Sequence, residues 1–553
     1  MTFKSRLTDE MISHYRETGY WGTKTWGDYI DENAARHPDR EAIVDRKYRW
    51  SFADFKRLVD LTALGFLELG VAQGEIVAVQ LPNWAEFMVV RFALSKIGAV
   101  TLPLNVRMGE HELEFFLQQT KATCLVLPAE FGGREYVSLG ERLKAEQPSL
   151  RSVVIVGGEG ANGMKRLEEM FDMPYHEGAA NDRLSKLKGT ADDIELLAPT
   201  SGTTQGRYKI SMKSHNSYMA FLPFYIYQAQ YTLEDRILSL APITQPMGAN
   251  AMYLMAYIGS TVVQSEHFSA DSALALLEAE RCTSMFAIST HLVDMTNCPT
   301  LGQYDLSNLT RVISAGAYVP PEVARQVEAR MGAKTLIMYG AMDGWVGSGV
   351  TMDDPEEKRH NTIGRAMPGC EVAIFNEKAT RQLPQGEVGE IAGRSPANSL
   401  GYFSDPEADL QVFRNDDWAF NGDLGMVDDE GYVKILGRSK DIIIQGGQNI
   451  VPTELEDLLM THPKLANVAI IGMPDDRLGE VVCAYVILIP GATSLVLEDM
   501  VKFLKEHKVA PYKLPRRLEL VDSFPTHKGD KVLKTELVDD VTEKLIAEGK
   551  IKG

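Results

Sequence analysis

Residues 76–98 read IVAVQLPNWAEFMVVRFALSKIG. Ile76–Leu81 is short and continuously apolar, the pattern of a strand buried on both faces. Trp84–Gly98 carries apolar residues at helical spacing and ends on glycine, the pattern of a packed helix. The same alternation extends outward in both directions. Upstream, WGDYIDENAARHPD (26–39) reads as a helix, EAIVD (41–45) and RKYRWSF (46–52) as a hairpin, and FADFKRLVDLTALGFLELG (52–70) as a second helix. Downstream, CLVLP (124–128), SVVIVGG (152–158), ILSLAP (237–242), SMFAIS (284–289), RVISAG (311–316) and TLIMYG (335–340) are short apolar strands that run into Gly, Ser or Pro. Such alternation predicts an α/β fold of mostly parallel sheet covered by helices, and ligands gather at the loops where these strands end.

After about Gly369 the pattern changes. CEVAIFNE, GEVGEIAGR and GYVKILGR read as antiparallel strands joined by acidic and glycine-rich turns. Beyond the polar knot GRSKD (437–441) comes a compact run: strand DIIIQGG, helix PTELEDLLMTHP, strands ANVAIIGMP and VVCAYVIL, helix LEDMVKFLKEHK, and a basic loop. The expected architecture is a large N-terminal domain of β-α layered subdomains plus a β-rich subdomain (1–437). A hinge (438–441) joins it to a small, mobile α+β C-terminal domain (442–553).

Composition narrows the function classes. The 553 residues carry a formal net charge of −19, which argues against nucleic acid or an anionic membrane as the main partner. The five cysteines are scattered with no C-x-x-C pair, which fits a reducing compartment and no structural zinc. MTFKSRLTDE lacks an apolar signal core and no run reaches about 18 apolar residues. A soluble, cytoplasmic protein is expected, with a homodimer left open.

Several loops carry chemistry. In Pro199-Thr-Ser-Gly-Thr-Thr-Gln-Gly-Arg-Tyr-Lys209, small and hydroxylated residues precede a lysine. That can be a surface turn or a cradle for polyphosphate. It is not a P-loop of the common type, because Tyr208 and Ile210 flank Lys209. Ser314-Ala-Gly-Ala317 ends a strand without bulk, as a tight turn or as a face for a flat ring. Tyr339-Gly-Ala-Met-Asp343 puts a carboxylate just past a strand, either capping a helix or holding Mg²⁺. Asn421-Gly-Asp423 and Gly437-Arg438 read as turns or as ribose-binding groups. Phe524-Pro-Thr-His-Lys-Gly-Asp-Lys531 is a basic loop near the C-terminus.

Taken in order, these pieces resemble the adenylate-forming superfamily of acyl-CoA synthetases, peptide-synthetase adenylation domains and luciferases, from about Trp26 to Leu537. TSGTTQGRYK is similar to that family's S-G-T-T-G-x-P-K, YGAMD to Y-G-x-T-E, and NGD to [ST]-G-D. GRSKDIIIQGGQNIVPTELE is similar to G-R-x-K-D…G-x-x-I-x-P-x-E-I-E, and FPTHKGDKVLK to P-x-T-x-x-G-K. The resemblance implies an ATP-dependent, AMP-forming ligase that makes an acyl-adenylate and passes the acyl group to coenzyme A, with Mg²⁺ as cofactor. Thr200, Ser201, Gly202, Thr203, Thr204, Gly206 and Lys209 would then cradle the phosphates. Ala315, Gly316, Ala317 and Gly340 would line the adenine and acyl site, with Tyr339 beside the adenine. Asp343 and Thr203 would ligate Mg²⁺, and Asp423 and Arg438 would hold the ribose. Lys440 takes the hinge position, Gly446 and Gly447 form the loop facing the thiol, and Lys531 is the lysine that bridges carboxylate and α-phosphate.

Departures from the pattern are specific. Gln205 looks inserted, Tyr208 stands where Pro is usual, Met342 and Asp343 replace Thr and Glu, and Asp530 precedes Lys531 in place of Gly. The acid pocket is expected around Gln245, Pro246, Met247, Gly316 and Gly340. In the aryl-acid branch a His-Asn pair faces the acid where this chain has Gln245 and Pro246. QPMGANAMYLMAYIG (245–259) reads as a core helix or as a pocket wall that suits a hydrophobic cyclic, aromatic or medium-chain acid. Two alternatives stay open: a stand-alone aryl-acid enzyme loading a separate carrier protein, and a non-enzymatic nucleotide-binding relative.

Overall fold

The computed structural model describes residues 5–158, 163–200, 208–438, 441–475, 477–492, 494–526 and 532–550. Strand Ile76–Val79 is buried along its whole length and pairs in parallel with Val100–Pro103 and Cys124–Pro128. These belong to a sheet that runs, edge to edge, Ile210–Ser214, Ile194–Pro199, Val100–Pro103, Ile76–Val79, Cys124–Pro128, Ser152–Val156, Lys165–Arg166. A second sheet has a parallel centre of Lys334–Gly340, Arg311–Ser314, Ser284–Phe286, Arg236–Ser239, Thr261–Gln264 and Glu41–Val44. Antiparallel strands close both of its edges. The hairpin expected at 41–52 forms there, with its first strand also joining the parallel ladder.

Helices pack on these sheets where the sequence periodicity places them. Phe52–Glu68 begins with a reciprocal cap: Ser51 Oγ accepts from Asp54 N at 3.1 Å and Asp54 Oδ2 accepts from Ser51 N at 3.1 Å. Ala85–Lys96 is buried along its whole length, which explains its weak amphipathicity.

A third, antiparallel sheet contains Glu371–Phe375, Gly389–Arg394, Trp418–Val427 and Val433–Arg438. Here the turn reading of Asn421–Asp423 is corrected. The three residues lie inside the ten-residue strand Trp418–Val427, where Gly422 takes φ +78° and the register shifts nearby. A glycine-centred irregularity in a paired strand and a turn leave the same local signature. The smaller C-terminal domain holds strands Ile443–Gln445, Gln448–Ile450, Leu465–Asp475, Gly479–Leu488 and Arg517–Leu520. It also has helices Pro452–Leu459, Leu497–Glu506 and Lys534–Ala547. Among the described residues no helix is long and apolar enough to cross a membrane.

Candidate active site

Strand ends from both large sheets converge on one cavity of about 280 Å³. Helix Pro246–Ile258 forms one wall. Its N-terminus packs so closely on the preceding strand-end loop that a Cβ at Gly248 would lie 2.2 Å from the Pro242 carbonyl oxygen, so only glycine fits. Met247, Ala249, Asn250 and Tyr253 turn toward the cavity while Ala251, Met252 and Leu254 are buried in the core. The helix is thus both core element and pocket wall. At its inner end Asn250 is held by Tyr225 (Asn250 Nδ2 donating, 2.7 Å) and Tyr218 (Oη donating, 3.3 Å). Arg91 reaches the same wall, ion-paired to Glu195 and hydrogen-bonded to Tyr253 Oη at 3.0 Å and Thr101 Oγ1 at 3.2 Å.

The opposite wall is Ala315-Gly316-Ala317, just past the buried strand Arg311–Ser314. Gly316 has φ +80°, a left-handed conformation that disfavours any side chain. Gly340 and the Ala341–Asp343 loop complete the rim. Asp343 sits in the connection between strands Lys334–Gly340 and Val346–Gly349 with no helix following, so it is not a helix cap. Its Oδ2 accepts from Tyr402 Oη at 2.7 Å, and its other oxygen has no hydrogen bond among the described residues. A carboxylate with one free oxygen suits a hard divalent cation. Thr200 Oγ1 and Thr244 Oγ1, both on the lining, are buried without a partner among the described residues, as expected where a polar ligand belongs.

The glycine- and threonine-rich loop springs from two antiparallel strands, Ile194–Pro199 and Ile210–Ser214. Its base is closed by Thr200 N donating to Lys209 O at 2.9 Å. Tyr208, in place of the usual proline, anchors that base: Oη donates to Glu112 Oε1 at 3.0 Å and the ring packs on Phe115 and Phe116. Lys209 Nζ lies over the Tyr402 ring and reaches Gln411. It does not line the cavity. Ser201–Gly206, Lys440 and Lys531 lie outside the described residues, and with them the expected phosphate hydroxyls, Thr203, the hinge and the bridging lysine.

Asp423 and Arg438 are direct partners on adjacent strands, 3.2 Å apart, and Arg438 reaches the cavity. Tyr339 Oη also donates to Asp423, and burial together with that carboxylate pushes the phenol pKa far up. Tyr339 is therefore tied to the expected ribose-binding carboxylate. Gly446 and Gly447 form a two-residue hairpin with φ +56° and +83°, exposed and apart from the cavity lining.

One cavity residue was not anticipated. Lys213, on strand Ile210–Ser214, is 2% exposed and faces the lining. Its Nζ donates to Ala397 O at 2.8 Å. Burial pushes the amine down to about 7, nearby Arg6 lowers it further, and Asp343 opposes them. In ISMKS, a lysine one residue from an apolar side chain signals a solvated strand face, yet all five residues are buried.

Residues 30–403 match the family model described as AMP-binding enzyme, and residues 454–531 match the AMP-binding enzyme C-terminal domain. The medium-chain fatty-acid–CoA ligase of Escherichia coli (strain K12) is 33% identical over 546 residues, covering 98% of this chain and 94% of that protein. The 2,3-dihydroxybenzoate-AMP ligase of Bacillus subtilis (strain 168) is 30% identical over 542 residues, covering 98% of each. Among solved structures, ATP-bound MatB from Rhodopseudomonas palustris superposes with a TM-score of 0.83 at 25% identity, covering 94% of this chain and 99% of that one. With the strand-end loops gathered on one cavity and both family models matched in order, this chain belongs to the AMP-binding enzyme family, the adenylate-forming superfamily that its motifs resemble.

Proposed function

We propose that this enzyme is an AMP-forming acid:CoA ligase acting on a hydrophobic aromatic, alicyclic or medium-chain carboxylic acid. The observation that carries the reading is the convergence of five separate sequence motifs, through Thr200, Ala315–Ala317, Gly340–Asp343, Arg438 and the helix at Gln245–Met247, on one largely apolar cavity. The acyl chain lies along Met247, Phe221, Ile243 and Ile288, where burial of apolar surface supplies about 25 cal/mol per Å². The carboxylate points toward Asp343, the ribose toward Asp423 and Arg438, and the phosphates toward Thr200 and the loop that follows it. Asp343 would hold Mg²⁺, which would supply neutralisation of phosphate charge; the acid oxygen attacks the α-phosphorus and pyrophosphate leaves.

Lys531, on the C-terminal tail, is the residue we assign to bridge the carboxylate and the α-phosphate. Rotation of the C-terminal domain about 438–441, centred on Lys440, withdraws it and brings Gly446-Gly447 to the acyl-adenylate for thioester formation. Thr526 and Val532, the described residues that flank this segment, form an isolated antiparallel bridge.

Acid-dependent exchange of pyrophosphate into ATP, followed by AMP release with CoA, tests the reading with octanoate, cyclohexanecarboxylate, benzoate, 2,3-dihydroxybenzoate and acetate. Exchange is expected with the hydrophobic acids and not with acetate. CoA should drive AMP release without a carrier protein. No exchange with any acid overturns the ligase reading, and release that requires a phosphopantetheinyl carrier overturns the choice of acceptor.

A further inference from the structure

Among the described residues four charged side chains line the cavity: Arg91, Lys213, Asp343 and Arg438. Arg91 is neutralised by Glu195, Arg438 by Asp423, and Asp343 is held by Tyr402. Lys213 alone among them is a cation with no carboxylate in ion-pair range among the described residues. An ammonium has three donors, and the Ala397 carbonyl takes one. Anchoring that carbonyl explains a hydrogen-bond donor at 213 but not a charged one. An uncompensated buried charge costs several kcal/mol, and a neutral amide would serve the tether.

The amine sits at the reacting end of the cavity. Lys213 shares a strand face with Ser211, whose Oγ donates to Met342 O at 3.2 Å. Met342 in turn precedes Asp343 and stands where the family pattern has a threonine hydroxyl. Arg6, held by its bond to Ser399 O at 2.7 Å and its ion pair with Asp417, is a second cation near Lys213 and adds to the cost of charging it.

We propose that Lys213 is a carboxylate-binding residue of the acid pocket, its Nζ forming an ion pair with a carboxylate of the substrate. This rests on the ligase reading above and adds to it a contact that the family motifs do not contain. The carboxylate is either the reacting group of a monoacid or the second carboxylate of a diacid.

The test uses the full-length enzyme without ATP. Octanoate, benzoate and adipate are titrated calorimetrically into the wild type and into Lys213→Met, Lys213→Gln and Lys213→Arg, and KM is measured for each acid and for ATP. Lys213→Met is expected to weaken octanoate and benzoate by about tenfold or more, the range for a lost charged hydrogen bond. Acid KM rises in step, ATP KM changes by less than about twofold, and Lys213→Arg retains most of the affinity. Loss confined to adipate assigns the contact to the second carboxylate of a diacid. Lys213→Gln keeps a donor for Ala397 and guards against a folding defect. If it binds all three acids like the wild type, or if Lys213→Met does, the proposal is overturned. Absence of pyrophosphate exchange in the wild type would instead remove the ligase reading itself.

Discussion

Lys213 and Asp457 each have one hydrogen-bond partner among the described residues, and their surroundings make them opposites. Lys213 faces the cavity, with its amine pushed down to about 7. Asp457, on helix Pro452–Leu459 of the C-terminal domain, is packed against the large domain, and burial pushes its carboxyl up to about 7. Tyr318 Oη donates to Asp457 Oδ2 at 2.6 Å, while Oδ1 is buried without a partner among the described residues. Glu456 adds to the upward push, and Lys434 and Arg325 oppose it. Thr453 Oγ1 donates to Leu436 O at 2.6 Å beside this contact, so the junction ties the C-terminal helix to the strand that ends at Arg438. The difference lies in what can relieve each group. A ligand can enter and neutralise Lys213, whereas loss of the Tyr318 contact at the junction would hydrate Asp457 further. A desolvated titratable group in a cavity therefore points to a substrate, and one in a junction to pH-dependent docking.

The largest effect should come from making the paired cation resemble the unpaired one. Glu195→Ala strands Arg91 at the cavity wall and should cost roughly 3–5 kcal/mol of stability. Lys213→Met, which removes a charge already uncompensated, should leave the melting temperature unchanged or raised. A drop for Lys213→Met equal to that for Glu195→Ala would erase the distinction.

Next is Asp343→Ala, which removes the expected Mg²⁺ ligand. It should lower the rate of acid-dependent pyrophosphate exchange by about 100-fold or more, several kcal/mol of charge stabilisation, while thioester formation from supplied acyl-adenylate changes little.

At the junction the pH dependence has a definite sign. The docked carboxyl holds its proton up to about 7, whereas a hydrated one releases it near 3.8. Docking through this contact is fully favoured below about 3.8 and is lost as pH rises toward 7. Limited proteolysis across residues 438–441 should accelerate over that window in the wild type, and Asp457→Asn should flatten the profile. A profile identical in the two proteins would show that Asp457 does not govern docking. The smallest effect belongs to Tyr318→Phe. Loss of one hydrogen bond to a half-sealed carboxyl is worth about 1–3 kcal/mol and should speed the same proteolysis at every pH.

Much of this was legible in order along the chain. Ile76–Val79, Cys124–Pro128 and Arg311–Ser314 read as buried strands because continuous apolar runs ending in Gly, Ser or Pro have few other homes. The loops at 315–317 and 340–343 follow from them. Three things were not legible. The NGD segment was read as a turn because glycine permits either a turn or a strand irregularity, and only pairing with Val433–Arg438 decides between them. The helix Lys534–Ala547 went unread beyond the basic loop that precedes it. Lys213 was not singled out because the alternating polarity of ISMKS carries no sign of burial, whereas in the fold its Nζ is tied to the Ala397 carbonyl.

By itself the sequence determined the parallel α/β layering, the order of the motif-bearing loops and the family, since each depends on local periodicity or on short motifs. Only the tertiary structure decided that Lys213 lines the cavity, that Tyr339, Asp423 and Arg438 form one bonded unit, and that Tyr318 meets Asp457 across the domain junction. Those facts rest on burial and on contacts between residues far apart in the chain, and neither is a property of any window of sequence.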